Sequence, residues 1–340
     1  MTLRWFFIFT AALLAACSPR SQATLPSSES SIVSPAVSGA GKIKHIVYIV
    51  QENRSFDDLF EGYPGADTVS KGKDSHGGMI TLKPVGLAVK YDLSHSAQAM
   101  FTDCNGTGRV PGTHCQMNGF DRPPHSGGPK GVQYPMYVFV PHVQTKPYFD
   151  MGHEWVLADR MFASQLDESF VAHQYIIAAQ AGQSVNVPTS SWGCNYRGYD
   201  TVDTITLSRN PNGPPQPPCF DYQTLGDELD HAKLSWRFYT SKFGSPSSSS
   251  SSLWSAYQAV RHIYYGPDWG NVITPQKTFL TDVAHGQLAA FTWITPLCNE
   301  SDHPGCGGGH GPSWVTALVN AVGKSKFWDS TAIFVQWDDW

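Results

Sequence analysis

The stretch IKHIVYIVQENRSFDDLF, residues 43–60, decides how the rest of the sequence is interpreted. Its first part, Ile43–Val50, is mostly apolar and β-branched, which is typical of a strand buried in a parallel sheet. The polar run Gln51–Ser55 follows directly, and Phe56–Phe60 has the composition of a short helix. The stretch therefore predicts a buried strand that delivers polar side chains at its carboxyl end.

A second predicted strand also delivers polar side chains where it ends. Thr331–Gln336 is short and β-branched, and a tryptophan and the pair Asp338-Asp339 follow it. Ligands of parallel α/β sheets bind outside the carboxyl ends of the strands, so Glu52 and Asn53 can converge with this pair on one cation. A set made only of oxygens favours Mg, Mn or Ca over zinc.

The alternative is that polar residues simply follow strands. The adjacent carboxylates Asp338 and Asp339 favour a cation, because like charges side by side repel unless something neutralises them.

Strand patterns alternate with helix patterns along the chain, which predicts an α/β sandwich with a mainly parallel sheet. Residues 62–135 predict long loops, and the serine run Ser247–Ser252 predicts a flexible loop. The predicted helices are Tyr148–Ala163, His173–Ala181, Thr224–Ala232, Leu253–Ile263 and Trp314–Val322, and further strands are Leu234–Thr240 and Ala289–Ile294.

The N-terminus has the pattern of an export signal. Arg4 precedes the apolar run Trp5–Ala16, which is too short to span a bilayer. Small residues before Cys17 are typical of a bacterial lipobox, in which this cysteine is lipidated and anchors the protein to a membrane. Ordinary cleavage near Ala23, with Cys17 discarded, is the alternative. The Ser/Ala/Pro-rich residues 18–40 predict a flexible tether.

Composition and cysteine content agree with an exported globular protein. The 340 residues are 41% hydrophobic and 15% charged, and the net charge of -5 without a Lys/Arg block gives nucleic acid little electrostatic support. Six cysteines remain after Cys17, which indicates disulfides. Local pairing gives Cys104–Cys115, Cys194–Cys219 and Cys298–Cys306, although other connectivities stay open. A zinc site is disfavoured because no CxxC spacing occurs.

Residues 43–60, with their ENRSFD segment, resemble the opening of the bacterial phosphoesterase family of secreted phospholipases C and acid phosphatases. The resemblance covers about residues 43–340. Its other landmarks are DLSH (92–95), MNGFD (117–121), LADRMF (157–162), SF with HQY (169–175), SWRFY (235–239), TWITP (292–296), SDHP (301–304) and WDD (337–339).

The resemblance implies an alkaline-phosphatase-like α/β/α sandwich and a set of site residues. They are the metal ligands Glu52, Asn53, Asp338 and Asp339, the hydroxyl nucleophile Ser169, and the phosphate-pocket histidines His95 and His303, with Asp302 beside the latter. A divalent cation would activate Ser169, which would form a phosphoserine intermediate that water hydrolyses. The cation and a histidine would neutralise the phosphoryl oxygens, and one histidine would protonate the leaving alcohol.

Other roles for these residues stay open at this point. Ser169 also fits a helix N-cap, since it precedes an apolar helical run, and Ser164 is a competing nucleophile. His95 and His303 also fit surface turns. His173 lies four residues after Ser169 and can share its side of a helix, but we expect it to pack in the core.

The expected function is metal-dependent hydrolysis of phosphoric esters, either phosphomonoesters or phospholipid head groups, by an envelope lipoprotein or a secreted enzyme. The resemblance implies a Gly-Gly-x-x-Asp-His segment and a further stretch after the acidic pair. Since the sequence stops at Trp340, we expect a fragment, with residues 41–340 an incomplete phosphoesterase domain of very low activity. The alternative is a catalytically incomplete envelope lipoprotein with a binding or structural role. Sulfatase activity is disfavoured, because the sulfatase signature is absent.

Overall fold

The computed structural model describes residues 41–122, 128–241 and 254–340. The predicted signal peptide, the lipidation site Cys17, the tether at 18–40 and the serine run Ser247–Ser252 lie outside these residues. No helix in the described ranges is long and apolar enough to cross a membrane.

The described residues form short strands and helices that alternate along the chain. The strands are β1 (His45–Gln51), β2 (Lys71–Lys73), β3 (Met79–Thr81), β4 (Lys83–Pro84), β5 (Val138–Phe139), β6 (Ser184–Val185), β7 (Val202–Thr204), β8 (Gly213–Gln216), β9 (Trp236–Tyr239), β10 (Val272–Ile273), β11 (Phe291–Ile294) and β12 (Thr331–Trp337). The helices are α1 (Phe56–Phe60), α2 (Ala97–Cys104), α3 (His142–Glu154), α4 (Ser169–Ala178), α5 (Leu225–His231), α6 (Arg261–Tyr264), α7 (Thr278–Ala284) and α8 (Gly311–Gly323).

The central sheet is parallel, with five strands in the order β10-β9-β11-β1-β12. Strand β1 lies between β11 and β12, and its register sets Gln51 opposite Trp337. The two residues that follow these strands, Glu52 and Asp338, therefore leave the sheet side by side. This alignment confirms that the two polar strand ends meet at one edge of the sheet.

Helices cover both faces of the sheet, which confirms the α/β sandwich. On one face Val47 and Ile49 of β1 pack with residues of α3, α7 and α8 in one buried cluster. On the other face Trp236 and Trp293 pack with Ile177 of α4 and with residues near α6. Successive side chains of a strand point to opposite faces, so the same strands contribute apolar side chains to both clusters. Burial of these side chains stabilises the strands whose ends carry the polar residues.

Two predicted helices are only partly correct. The apolar spacing over Tyr148–Ala163 predicts one helix, but α3 begins at His142 and ends at Glu154. The following segment is a loop held by an ion pair between Arg160 and Asp67 at 3.0 Å, and Met161 and Phe162 are 63% and 83% exposed. The apolar spacing thus continues after Glu154, but Met161 and Phe162 are not buried, as the apolar face of a helix at this position would have to be.

The second incorrect prediction is the helix Leu253–Ile263, of which Leu253 lies outside the described residues. A 3-10 turn at Ala256–Ala259 and the short α6 replace it. The reason is a bridge between Phe220 and Val260: Phe220 N donates to Ala259 O, and Arg261 N donates to Phe220 O, both at 2.7 Å. The predicted loop region 62–135 also contains α2, which Ser96 caps.

The three local disulfides are present. Cys104 pairs with Cys115, Cys194 with Cys219 and Cys298 with Cys306, with Cα atoms 4.6, 4.7 and 5.3 Å apart. The Cys104–Cys115 and Cys298–Cys306 bonds close loops that contain no strand, and the Cys194–Cys219 bond closes the segment that contains β7 and β8.

Candidate metal and nucleophile site

The two polar strand ends are joined by hydrogen bonds that two backbone amides donate. Asp338 N donates to Gln51 O, and Asn53 N donates to Asp338 Oδ1, both at 3.0 Å. Asn53 has a φ of +54°, a left-handed conformation that asparagine adopts more readily than most residues. The turn at Asn53 thus lets two successive side chains, Glu52 and Asn53, face the acidic pair.

Glu52, Asp338 and His173 form a compact buried cluster. One ligand atom of each lies within 4.8 Å of the others. His173 Nε2 lies 3.0 Å from Glu52 Oε1 and 3.5 Å from Asp338 Oδ2. Three buried oxygens at the site, Glu52 Oε2, Asp338 Oδ2 and Asp339 Oδ1, receive no hydrogen bond from the described residues. Buried carboxylates without donors need a compensating charge, so the residues present fit a divalent cation.

Burial and mutual repulsion set the protonation of these carboxyls. Burial, and then the charge of Asp338, raises the pKa of Glu52 well above its ordinary value of 4.5. The same two causes raise the pKa of Asp339 well above 3.8. Burial also opposes ionisation of Asp338, but the His173 imidazole, 3.5 Å from Asp338 Oδ2, outweighs burial and lowers the pKa of Asp338. Without a cation, the cluster therefore favours one ionised carboxylate beside protonated neighbours.

Ser169 is the first residue of α4, and its hydroxyl points to the strand ends. The N-cap is Glu168, so the helix-capping alternative for Ser169 does not hold. Ser169 Oγ donates towards Asp339 Oδ2 at 3.3 Å and Asn53 Oδ1 at 3.4 Å. The competing Ser164 lies in the preceding loop and lines a cavity of about 360 Å³ with Met161 and Phe162, and this cavity is also lined by Asp338.

His95 joins the same group of atoms. Its Nδ1 donates to the Leu93 carbonyl oxygen at 2.7 Å, so in the neutral ring Nε2 is the acceptor. Asn53 Nδ2 lies 2.8 Å from this Nε2, and Asp339 Oδ2 lies 3.3 Å from it. The expected nucleophile, metal ligands and phosphate-pocket histidine are thus brought together around Asn53 and Asp339.

His303 is half-buried near this group, in the loop after β11. Its Nδ1 accepts a hydrogen bond from Gly305 N at 2.9 Å, so the neutral ring carries its proton on Nε2. Burial lowers the pKa of His303 from 6.5, with the charge of His95 acting in the same direction and that of Asp338 against it.

Asp302 has a different environment from the one expected of a catalytic residue. Its Oδ2 accepts hydrogen bonds from Tyr148 Oη at 2.7 Å and Trp337 Nε1 at 3.0 Å. Burial raises the pKa of Asp302 to about 6, although these two donors oppose the rise. The carboxyl is therefore directed into a buried hydrogen-bond network.

His173 is the site residue that sequence patterns missed. The apolar helix around it predicts a packing role, and the side chain is indeed 2% exposed. Its imidazole nevertheless faces Glu52 and Asp338. The available signal was its position four residues after Ser169, which places both side chains on one side of α4.

Comparison with known proteins identifies the family of the chain. The model of the Phosphoesterase family matches residues 43–340, the whole described domain apart from its first two residues. The chain belongs to the Phosphoesterase family. The match includes the segments that hold Glu52, Ser169 and Asp338.

Two curated relatives match the chain to the same degree. Both are named Phospholipase C A, from Mycobacterium tuberculosis strain CDC 1551 / Oshkosh and strain ATCC 25618 / H37Rv. Each is 23% identical to the chain over an alignment of 318 residues, and the match covers 87% of this chain and 58% of the relative. The chain thus spans less than two thirds of the length of the relatives it matches.

Proposed function

We propose that this chain belongs to an enzyme that hydrolyses phosphoric esters, with Ser169 as the nucleophile and a divalent metal ion at Glu52, Asp338 and His173. One observation carries the proposal. The Ser169 hydroxyl is hydrogen-bonded to Asp339 and Asn53, directly beside buried carboxylate oxygens that lack donors. A phosphoryl group at this position would also face the N-terminus of α4, where backbone N–H groups favour anions.

The metal ion, when bound, lowers the pKa of the serine hydroxyl and offsets negative charge on the phosphoryl group. The ligand set proposed here is no longer made only of oxygens, because His173 adds an imidazole nitrogen. Carboxylates suit Mg, Ca and Mn, whereas imidazole also suits transition metals, so Mn is the member of the expected group that fits the set best.

The residues of this chain have distinct tasks in the proposed reaction. Ser169 Oγ attacks phosphorus, and Asp339 Oδ2 is placed to accept its proton. Asn53 holds the hydroxyl through Oδ1 and His95 through Nδ2. His303 donates its Nε2 proton in a hydrogen bond to a phosphoryl oxygen, and one of the two histidines protonates the leaving alcohol. Water then hydrolyses the phosphoserine and restores the serine.

The substrate is either a phosphomonoester or the phosphodiester of a phospholipid head group. The name of the two relatives, Phospholipase C A, supports the second. The two reactions share the phosphoryl chemistry and differ in the groups attached to phosphorus. Comparing p-nitrophenyl phosphate with p-nitrophenyl phosphorylcholine as substrates separates them.

The decisive variant is Ser169→Ala, with Ser164→Ala as its matched control. Loss of the nucleophile is expected to lower p-nitrophenol release by at least about 1,000-fold, while the control stays near wild type. Acid-quenched protein, digested and analysed by mass spectrometry, should carry the phosphoryl group on Ser169. Equal activity of wild type and Ser169→Ala would overturn the assignment, and activity insensitive to a chelator would overturn the metal.

The lipid anchor at Cys17 and the export of the protein also stay proposals, supported by the lipobox pattern. Expression in a bacterium fed with labelled palmitate tests them. The wild-type protein should incorporate the label and sediment with membranes, whereas Cys17→Ala should not. Unlabelled wild-type protein in the secreted fraction would instead support ordinary cleavage.

A further inference from the structure

We propose that Asp302 is a positioning residue that fixes the two metal-binding strand ends against each other. The proposal rests on the proposed function, because it takes Glu52 and Asp338 as the ligand pair. It replaces the catalytic role that the sequence suggests for Asp302. The observation behind it is that Asp302 contacts the residue immediately before each group of ligands.

The contacts of Asp302 reach both strand ends. On the β1 side, Asp302 N donates to Gln51 Oε1 at 2.8 Å, and Gln51 immediately precedes Glu52. On the β12 side, Trp337 Nε1 donates to Asp302 Oδ2 at 3.0 Å, and Trp337 immediately precedes Asp338. One residue outside both strands thus links the positions next to the ligands.

Further contacts hold Asp302 itself in place. Arg54 Nε donates to the Asp302 carbonyl oxygen at 2.9 Å, and the Arg54 guanidinium is in turn bonded to Asp58 at 2.8 Å. Tyr148 of α3 donates to Asp302 Oδ2, and its ring packs edge-on against Trp337 with centroids 5.0 Å apart. Asp302 therefore has a fixed position in the fold, as a positioning residue needs.

The start of α8 lies against the other carboxylate oxygen. A Cβ added to Gly311, the first residue of α8, would lie 2.0 Å from Asp302 Oδ1. This close approach requires glycine, and it brings the carboxylate to a helix N-terminus, whose dipole favours negative charge. Asp302 Oδ2 is thus held by Tyr148 and Trp337, whereas Oδ1 has no hydrogen-bond partner among the described residues and lies against the start of α8. The side chain is 1% exposed, so it is not open to a substrate.

The consequence of removing the carboxylate follows from these contacts. Tyr148 Oη and Trp337 Nε1 would lose their acceptor, and Trp337 would be free to change its orientation. A shift of Trp337 moves Asp338 and Asp339, which bind Asn53 N and Ser169 Oγ. Metal affinity and the alignment of the nucleophile should therefore weaken together, whereas a purely catalytic group would leave metal affinity unchanged.

The test measures Mn²⁺ affinity by calorimetry and steady-state kinetics in parallel. Asp302→Ala should weaken Mn²⁺ binding by about 10–100-fold, the range for residues that orient ligands, and should lower kcat with a smaller change in KM. Asp302→Asn keeps an acceptor for Tyr148 and Trp337 and should lie between wild type and Asp302→Ala. His303→Ala should lower kcat without changing Mn²⁺ affinity.

A matched control removes a similar Tyr–Asp hydrogen bond elsewhere. Asp282 Oδ2 accepts from Tyr239 Oη at 2.7 Å beneath the sheet, and Asp282→Ala should leave Mn²⁺ affinity unchanged. The fluorine NMR signal of 5-fluorotryptophan at Trp337, assigned with Trp337→Phe, should shift in Asp302→Ala and remain in place in Asp282→Ala. If Asp302→Ala does not fold, Tyr148→Phe and Asp302→Asn carry the same measurements.

Asp302 variants with wild-type Mn²⁺ affinity and an unshifted Trp337 signal would overturn the proposal. If such variants also lost kcat, Asp302 would be catalytic. A wild-type protein that binds no Mn²⁺ would count against the metal site of the proposed function, and the Trp337 signal would then decide on positioning alone.

Discussion

Two histidines of this protein each face two carboxylates, and the two arrangements differ in one respect. His173 presents a single nitrogen, Nε2, to both Glu52 and Asp338. His262 uses both of its nitrogens, with Nδ1 2.7 Å from Asp221 and Nε2 2.9 Å from Asp227. In the first cluster, which is buried, both carboxylates face the same ring nitrogen. In the second, which is partly exposed, the two carboxylates face different nitrogens of the ring.

The difference is what we expect between the proposed metal site and a structural link. In the His262 arrangement each carboxylate faces its own ring nitrogen, and among the described residues neither Asp221 nor Asp227 has a buried oxygen without a hydrogen-bond partner. In the His173 arrangement one nitrogen faces two carboxylates, and buried oxygens of Glu52 and Asp338 have no hydrogen-bond donor among the described residues. Residue types alone, one histidine and two acids, do not distinguish the two clusters.

The largest effect is expected from removing a convergent ligand. Glu52→Gln should lower kcat/KM for the better of the two p-nitrophenyl substrates by about 1,000-fold, because several kcal/mol of charge stabilisation depend on the cation. Asp227→Asn, the matched change in the other cluster, should leave kcat/KM within about twofold and act on stability alone. Equal losses in the two variants would remove the distinction between the clusters.

Removal of the metal by a chelator should distinguish the two clusters through the melting temperature, Tm. Metal at about 100 times its Kd stabilises a protein by about 2.7 kcal/mol, so EDTA should lower Tm by a few degrees. His262→Gln should show the full EDTA effect and Glu52→Gln none. A wild-type Tm that changes with neither EDTA nor added Mn²⁺ would argue against a metal at Glu52, His173 and Asp338.

Substitution of the buried histidine tests its proposed place among the ligands. His173→Gln should weaken Mn²⁺ binding by about 10–100-fold, with much of the activity recovered at high Mn²⁺ concentration. His231→Gln, on the exposed end of α5, is the control and should change neither. Unchanged Mn²⁺ affinity in His173→Gln would return this histidine to the packing role.

The smallest effect concerns the pH dependence of the His262 link. Partial burial lowers the pKa of His262, but hydrogen bonds and charge from Asp227 and Asp221 outweigh burial and raise it above 6.5. The link therefore stabilises the fold fully below about pH 6.5 and loses this contribution as pH rises through the raised value. Urea unfolding should show wild type more stable than His262→Gln by a few tenths of a kcal/mol at acidic pH only.

The sequence predicts the sheet and the meeting of its strand ends, because β-branched runs followed by polar residues mark both β1 and β12. It also predicts that Ser169, His95, Asn53 and Asp339 come together, through the resemblance. The proposed roles of His173 and Asp302 could not be predicted from the sequence, because they depend on contacts in the folded protein. Histidine in an apolar helix looks like a core residue until the rotation of α4 is known, and the contacts of Asp302 depend on side chains far apart in sequence.

The position of β12 at the edge of the sheet has a consequence for how the acidic pair moves. Within the described residues β12 pairs only with β1, and its residue Phe334 is 48% exposed. In parallel sheets alternate residues bond to opposite neighbours, so every second amide of β12 has no partner strand among residues 41–122, 128–241 and 254–340. Those amides should exchange with deuterated water at rates near those of an open chain, whereas those bonded to β1 stay protected. Within the described residues, Asp338 and Asp339 thus follow a strand that is hydrogen-bonded to a neighbouring strand on one side only.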